Sequence, residues 1–139
     1  MASESVGNYD YETINYLRQA YQSRYEELSK AIDLELSRLE KLGQVLESLN
    51  KTEKLAKNKV LYPMGEGFYF EAEAGDMGSI LVHVGGGYYV EKGLDDAKSF
   101  LSMSAKKEQG IISQIMKAKD EVEENIVRLE YQSASQNYR

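Results

Sequence analysis

Two long stretches of the chain carry apolar residues at helical spacing. Between about Tyr11 and Leu55, and again between about Leu94 and Gln132, there is no proline and a single glycine each, and good helix formers are abundant. Steps of three or four residues separate most apolar positions, which in the first stretch are Ile14, Leu17, Tyr21, Tyr25, Leu28, Ile32, Leu36, Leu39, Leu42, Leu46 and Leu49, and in the second Leu94, Ala97, Leu101, Ala105, Ile111, Ile115, Ala118, Val122, Ile126 and Leu129. Narrow stripes of this kind predict two helices that pack as one antiparallel coiled coil.

The spacing and length of the first stripe predict its geometry. Ile14, Tyr25 and Leu36 recur at eleven-residue intervals, which favours a nearly straight or slightly right-handed coil, and the later part is closer to heptads. At 1.5 Å per residue the first helix would be roughly 65 Å long, more than a globular domain of this mass can enclose. We therefore expect it to protrude.

The stretch between the helices predicts a small β module. It holds the only proline, Pro63, and eight of the eleven glycines, which lie between Gly65 and Gly93. Short β-rich runs at 60–64, 68–73, 79–84 and 88–92 are separated by turn-forming residues and predict four strands in two hairpins. The alternation of Phe68 and Phe70 with polar neighbours is typical of a strand with one buried face.

So small a sheet has exposed edges and too little core to stand alone, so we expect it to pair with other subunits. The residues expected at that oligomerisation interface are Val60, Tyr62, Phe68, Phe70, Ile80, Val82, Tyr88 and Val90. The predicted fold class is mainly α: a long antiparallel two-helix coiled coil joined by two β-hairpins. It forms one domain over residues 1–139, with helical segments at about 9–58 and 94–139 and the β module at 59–93.

Composition narrows the function classes. With 42% hydrophobic and 29% charged residues, the chain is too apolar for a disordered protein and unusually charged for a compact globule. The net charge of −6, without a block of Lys and Arg, argues against nucleic acid as a partner. No cysteine is present, and no apolar run approaches a membrane span or a signal peptide. We expect a cytoplasmic protein with no membrane partner.

Motifs that could carry chemistry are weak. The run Gly85-Gly86-Gly87 lacks the Lys-Ser/Thr of a phosphate loop, so we interpret it as a turn between strands. His83 is the only histidine, which leaves no histidine pair for a metal. Asp95 and Asp96 stand at a helix start, where carboxylates cap amides and complement the helix dipole. The sequence predicts neither an enzyme nor a bound metal or cofactor.

The tyrosines point to a binding surface. Seven of the eleven lie near the two ends of the chain. If partners in the coiled coil sum to about 150, Leu28 meets Val122, and Ile14 and Leu17 face a polar run at 133–137 that cannot bury them. Exposed apolar and aromatic groups of this kind usually mark a binding surface. The expected tip residues are Tyr9, Tyr11, Ile14, Tyr16, Leu17, Tyr131 and Tyr138; in the alternative interpretation these residues only extend a frayed coiled-coil end. Tyr21 and Tyr25 sit in the stripe and are expected in the core.

The layout of helix, two hairpins and helix resembles the prefoldin family. Residues 60–68, VLYPMGEGF, are similar to the family's V-P-L-G-x-G strand and turn, and residues 82–92, VHVGGGYYVEK, resemble its V-x-V-G-x-G-x-x-x-E-K segment. Two hairpins resemble the alpha class found in archaea, because beta-class subunits have one. The resemblance covers nearly the whole chain.

The resemblance implies a hexamer of two alpha-class and four beta-class subunits, built on a double β-barrel to which each hairpin module contributes. Unfolded client proteins would be held between the coiled-coil tips and passed to a group II chaperonin, without any nucleotide cofactor. The function expected is thus an ATP-independent holdase chaperone. The alternative is a structural coiled-coil scaffold or filament-forming subunit of the same form, in which the tips would be dispensable.

Overall fold

The computed structural model describes residues 10–137. Across these residues the elements in chain order are helix α1 (Tyr11–Asn50), short helix α2 (Thr52–Leu55), strands β1 (Lys59–Gly65), β2 (Phe68–Glu73), β3 (Ser79–Gly85) and β4 (Tyr88–Gly93), and helix α3 (Leu94–Asn137). Two long helices and two small antiparallel hairpins confirm the predicted fold class, and each strand matches its predicted span to within one residue at either end.

The first helix ends earlier than predicted. A single helix to Leu55 is wrong, because the chain tightens after Asn50: the Lys51 amide donates to the Ser48 carbonyl oxygen at 3.1 Å, an i to i+3 bond that interrupts the α-helical ladder. The Thr52 hydroxyl also donates to the Ser48 carbonyl, at 3.0 Å. A four-residue helix follows before β1 begins.

Each hairpin is a separate two-stranded sheet. In the first, Tyr62 of β1 lies opposite Phe70 of β2, and in the second, Val82 of β3 lies opposite Val90 of β4. The turn between β3 and β4 is made by the glycine run, whose members Gly85, Gly86 and Gly87 have φ of 117°, 59° and 79°. Residues that carry a side chain rarely adopt these positive φ values, whereas glycine does so readily. The glycine run therefore forms the turn that the sequence predicted.

The described chain forms two compact units. The hairpin unit is Leu39–Lys107 and contains all four strands with the adjoining ends of the long helices. The helical unit consists of Asp10, residues 11–38 of α1 and residues 108–137 of α3.

The hairpin unit has a small apolar core to which three elements contribute. Leu49 of α1 and Ala97 and Leu101 of α3 are buried in it. Ile80 and Val82 of β3 pack against this cluster, as do the half-buried Leu42, Leu46 and Leu94. Because Ile80 and Val82 alternate along β3 and both pack against this cluster, burial of apolar side chains attaches the second hairpin to it.

The helical unit is held by the apolar stripes of its two helix segments. Ile14 and Leu28 of α1 and Ile112 and Leu129 of α3 are buried. Across the pair, the Lys119 ammonium lies 4.9 Å from the centroid of the Tyr25 ring, a cation–π contact between the two helix segments. Tyr21 and Tyr25 are half-buried, as expected for positions in the stripe.

The predicted stripe is wrong at one residue, Leu36. Leu36 is 47% exposed, whereas the side chain of Glu35 is only 14% exposed. Leu28, Ile32 and Glu35 follow steps of four and three, so the eleven-residue spacing gives way to heptads here and turns Leu36 outward. In α3 the half-buried Glu108 likewise occupies the stripe between Ala105 and Ile111. Because both residues are charged, a stripe defined by apolar residues alone does not include them.

Truncating a core residue should cost far more stability than truncating its exposed counterpart. We expect Leu49→Ala to lower the free energy of unfolding by about 2–4 kcal/mol, since it leaves a cavity in the hairpin unit. Leu36→Ala, the matched control on the same helix, should change it by less than about 1 kcal/mol. Urea denaturation followed by far-UV circular dichroism measures both, and equal losses would contradict the assignment of the core.

Candidate functional site

The first hairpin presents an apolar face that the chain itself leaves uncovered. Strand alternation and register place five residues on this β1–β2 face: Val60, Tyr62, Phe68, Phe70 and Ala72. The rings of Tyr62 and Phe70 stack with centroids 4.9 Å apart, and both side chains are exposed, as is that of Phe68. The opposite face is mixed, with Lys59 paired to Glu71 at 3.8 Å beside Leu61. An exposed cluster of three aromatic rings is a strong candidate for a protein interface.

The second hairpin is only partly uncovered. Ile80 and Val82, predicted to face other subunits, instead pack against the chain's own core, while Tyr88 and Val90 are exposed. Beside Ile80 and Val82 lies an open apolar groove of about 480 Å³, lined also by Val45, Phe100 and Leu101 among others. The predicted oligomerisation residues therefore divide into those that attach β3 to the helices and those left free.

The start of α1 is held by an N-terminal cap. The Thr13 amide donates to Oδ1 of Asp10 at 2.8 Å, and the Ile14 amide donates to the Asp10 carbonyl oxygen at 3.0 Å. Hydrogen bonds from the Thr13 side chain and then its amide hold the pKa of the Asp10 carboxyl below its usual range. Since the folded-state pKa is lowered, this cap stabilises the first turn above the ordinary aspartate pKa and is lost as the pH falls through the lowered value.

Exposed aromatic side chains gather at the outer end of the helical unit, where α1 begins and α3 ends. Tyr11 and Tyr16 of α1 and Tyr131 of α3 are 68% to 77% exposed, and Val127 is also exposed. Leu17 is half-buried. Of the other predicted tip residues, Tyr9 and Tyr138 lie outside the described residues.

The structure corrects the expected exposure of Ile14. It was expected to be open to solvent opposite residue 136, yet it is 1% exposed. Leu129 of α3 is also completely buried, and both residues lie in the helical unit. Ile14 thus belongs to the core of the helical unit, and its neighbours Tyr11 and Tyr16 carry the exposed surface.

His83, Asp95 and Asp96, which the sequence offered as candidates for chemistry, each lie where they have a structural role. His83 sits against Tyr89 across the second hairpin, with ring centroids 5.0 Å apart. Asp95 and Asp96 lie in the first turn of α3, where negative charge complements the helix dipole. Within residues 10–137, no cluster of three or more His, Asp and Glu side chains is arranged to hold a metal ion, and none of the helices has the apolar length that a membrane span requires.

Comparison with known proteins identifies the family. The model of the prefoldin subunit family matches residues 15–138. The chain belongs to the prefoldin family. It is 30% identical over 122 residues to prefoldin subunit alpha of Pyrococcus horikoshii, covering 86% of this chain and 82% of that protein. It is 35% identical over 102 residues to prefoldin subunit alpha of Thermococcus onnurineus, covering 71% of this chain and 69% of that protein.

A solved structure agrees with the prefoldin fold. The filamentous PFD from Methanocaldococcus jannaschii, determined by cryo-EM, superposes with a TM-score of 0.76 and covers 85% of this chain and 98% of its own, at 24% sequence identity. Prefoldins are a chaperone family whose subunits assemble with one another into oligomers. Because the chain belongs to this family, both exposed surfaces described above, the aromatic β1–β2 face and the tyrosine-bearing helix ends, are candidates for contacts with other proteins.

Proposed function

We propose that this chain is a subunit of a cytoplasmic, ATP-independent holdase chaperone that captures unfolded proteins at the outer ends of its helices. The observation that carries the proposal is the set of exposed side chains at one end of the helical unit, Tyr11, Tyr16, Val127 and Tyr131. Tyrosine offers a large contact area with few rotatable bonds, which suits weak binding to many different sequences. Prefoldin family membership supports the chaperone class.

The cap at Asp10 supports the same assignment. A tyrosine in a frayed helix end would lose conformational freedom on binding, which reduces affinity. Because Asp10 satisfies the Thr13 amide and begins the helix next to Tyr11, the first turn is ordered before a client arrives. Each tip would bind weakly, and several tips in one assembly would act together to raise the apparent affinity.

Assembly through the β module is the second part of the proposal. The β1–β2 face would be covered by beta-class prefoldin subunits, in a complex of two alpha-class and four beta-class chains around an intersubunit β-barrel. Three exposed aromatic side chains on one hairpin face supply the apolar area that such contacts need. Captured clients would then pass to a group II chaperonin, a step suggested by the family relationship.

The scaffold alternative remains a prediction with different consequences. A spacer subunit would have no need of exposed tyrosines at its helix ends, and the structural match to a filamentous prefoldin, at 24% identity, supports the fold alone. Tip substitutions therefore separate the two functions.

Removing the exposed rings should weaken client capture while leaving assembly unchanged. We expect Tyr11→Ala, Tyr16→Ala and Tyr131→Ala together to raise, by about threefold or more, the concentration of assembled complex needed to halve aggregation of an unfolded client, because apolar contact area is lost at each tip. Light scattering of the aggregating client measures this.

A matched control replaces three exposed apolar residues elsewhere on the helices, Leu34→Ala, Met103→Ala and Met116→Ala. These positions are 51% to 71% exposed and lie away from the helix ends, so the control should suppress aggregation like the wild type. Full activity of the tyrosine variant would contradict the tip assignment and favour the scaffold function.

A charge on the β1–β2 face should prevent assembly. Phe70→Asp would place a carboxylate where the apolar contact with another subunit is proposed, and the buried charge would have no partner. We expect light scattering of the variant mixed with a beta-class subunit to show loss of the complex mass. Leu61→Asp, on the opposite face of the same hairpin and also exposed, is the control and should assemble. An unchanged mass for Phe70→Asp would overturn the proposed interface.

A further inference from the structure

We infer that the tyrosine-bearing helix ends select cationic unfolded segments. The inference rests on the proposed function and concerns which clients the same surface prefers. It starts from the distribution of charge in the helical unit, whose described residues include twelve carboxylates and seven basic side chains.

That charge is concentrated at the outer end. The outer end comprises residues 10–24 of the first segment and residues 120–137 of α3, which lie beyond the contact between Tyr25 and Lys119. These two segments hold seven carboxylates and three basic side chains, a formal net charge of −4, whereas the rest of the unit is nearly neutral. All seven carboxylates are exposed: Asp10, Glu12, Asp120, Glu121, Glu123, Glu124 and Glu130.

The carboxylates are not neutralised within the chain. None of the ion pairs formed among residues 10–137 involves any of these seven. Of the three basic side chains at this end, Arg24 is paired with Glu27 at 3.4 Å, and Arg18 is half-buried with its Nε atom inaccessible. Arg128 is exposed beside Glu124, so seven carboxylates still outnumber the cations at this end. The negative potential at this end is therefore available to a ligand.

Acidic and apolar groups alternate on the same helix faces. Glu12 lies four residues before Tyr16, and Glu123 lies four residues before Val127, spacings that make neighbours on a helix surface. Asp120, Glu123, Glu124, Val127 and Arg128 line one open depression of about 510 Å³. A segment seated on Tyr16 or Val127 would thus contact carboxylates within one helical turn.

The occupant that fits is an extended polypeptide in which lysine or arginine flanks apolar residues. Its apolar side chains would cover the rings, and its cations would meet carboxylates that form no ion pair within residues 10–137. An anionic segment of equal hydrophobicity would be repelled, so the tips would discriminate between unfolded chains chiefly by charge.

Two fluorescent, unstructured peptides of identical apolar residues, carrying lysines or glutamates at the same positions, test the inference on the assembled complex. Exposed charge pairs contribute a few tenths of a kcal/mol each, so several together should make the lysine peptide bind about tenfold more tightly. The preference should shrink at about 1 M NaCl, where the Debye length is about 3 Å. Fluorescence anisotropy gives both affinities.

The variant Glu123→Gln, Glu124→Gln, Glu130→Gln should lose most of the preference for the lysine peptide while the complex keeps the mass and the far-UV circular dichroism of the wild type. The control Glu26→Gln, Asp33→Asn, Glu40→Gln removes three exposed carboxylates away from the outer end and should keep the preference. Equal binding of the two peptides, or equal losses in the two variants, would overturn the charge selection alone. Failure of both peptides to bind, with no suppression of any client's aggregation, would overturn the proposed function as well.

Discussion

Burial of β3 against the long helices is the interaction on which the hairpin unit depends. Leu49, Ala97 and Leu101 form its buried core, and Ile80 and Val82 attach the second hairpin to it. An isolated two-stranded hairpin is marginally stable in water, so this contact gives β3–β4 the support that its own hydrogen bonds do not provide. The core is nevertheless too small to cover both hairpins. The apolar face of β1–β2 stays exposed, and assembly with other subunits is the physical consequence that we propose.

The helical unit is also held together by the burial of apolar side chains, in this case along the length of two helix segments. Its stripe is apolar at Ile14, Leu28 and Leu129, where the two segments bury side chains between them. Glu35 and Glu108 occupy stripe positions and each has one buried carboxylate oxygen, while the other oxygen of Glu35 accepts from Arg38 at 3.3 Å. Such polar positions favour one register over others at some cost in stability. At the outer end Tyr11, Tyr16, Val127 and Tyr131 are exposed beside this buried stripe, and they form the proposed binding surface.

Sequence reasoning anticipated the elements well because periodicity is local. The strand spans, the glycine turn and nearly all stripe residues were predicted from spacing and from helix breakers. The burial of single residues near the helix ends was not, since a stripe shows which face of a helix packs but not how far along the helix the packing extends. Ile14, which is buried, was therefore placed in the binding surface. The division of strand residues between inner and outer contacts, as for Ile80 against Tyr88, also depends on tertiary packing. A count of charges along the segments would have found the acidic outer end.

Site-specific photo-crosslinking to an unfolded client tests the central claim most directly. A photoreactive phenylalanine analogue would replace either Tyr131 at the outer end of the helical unit or Met103 in the hairpin unit, two residues of similar exposure. In the assembled complex we expect crosslinks to the client from position 131 and few from position 103. Equal crosslinking at the two positions, or none at position 131, would contradict capture at the helix ends.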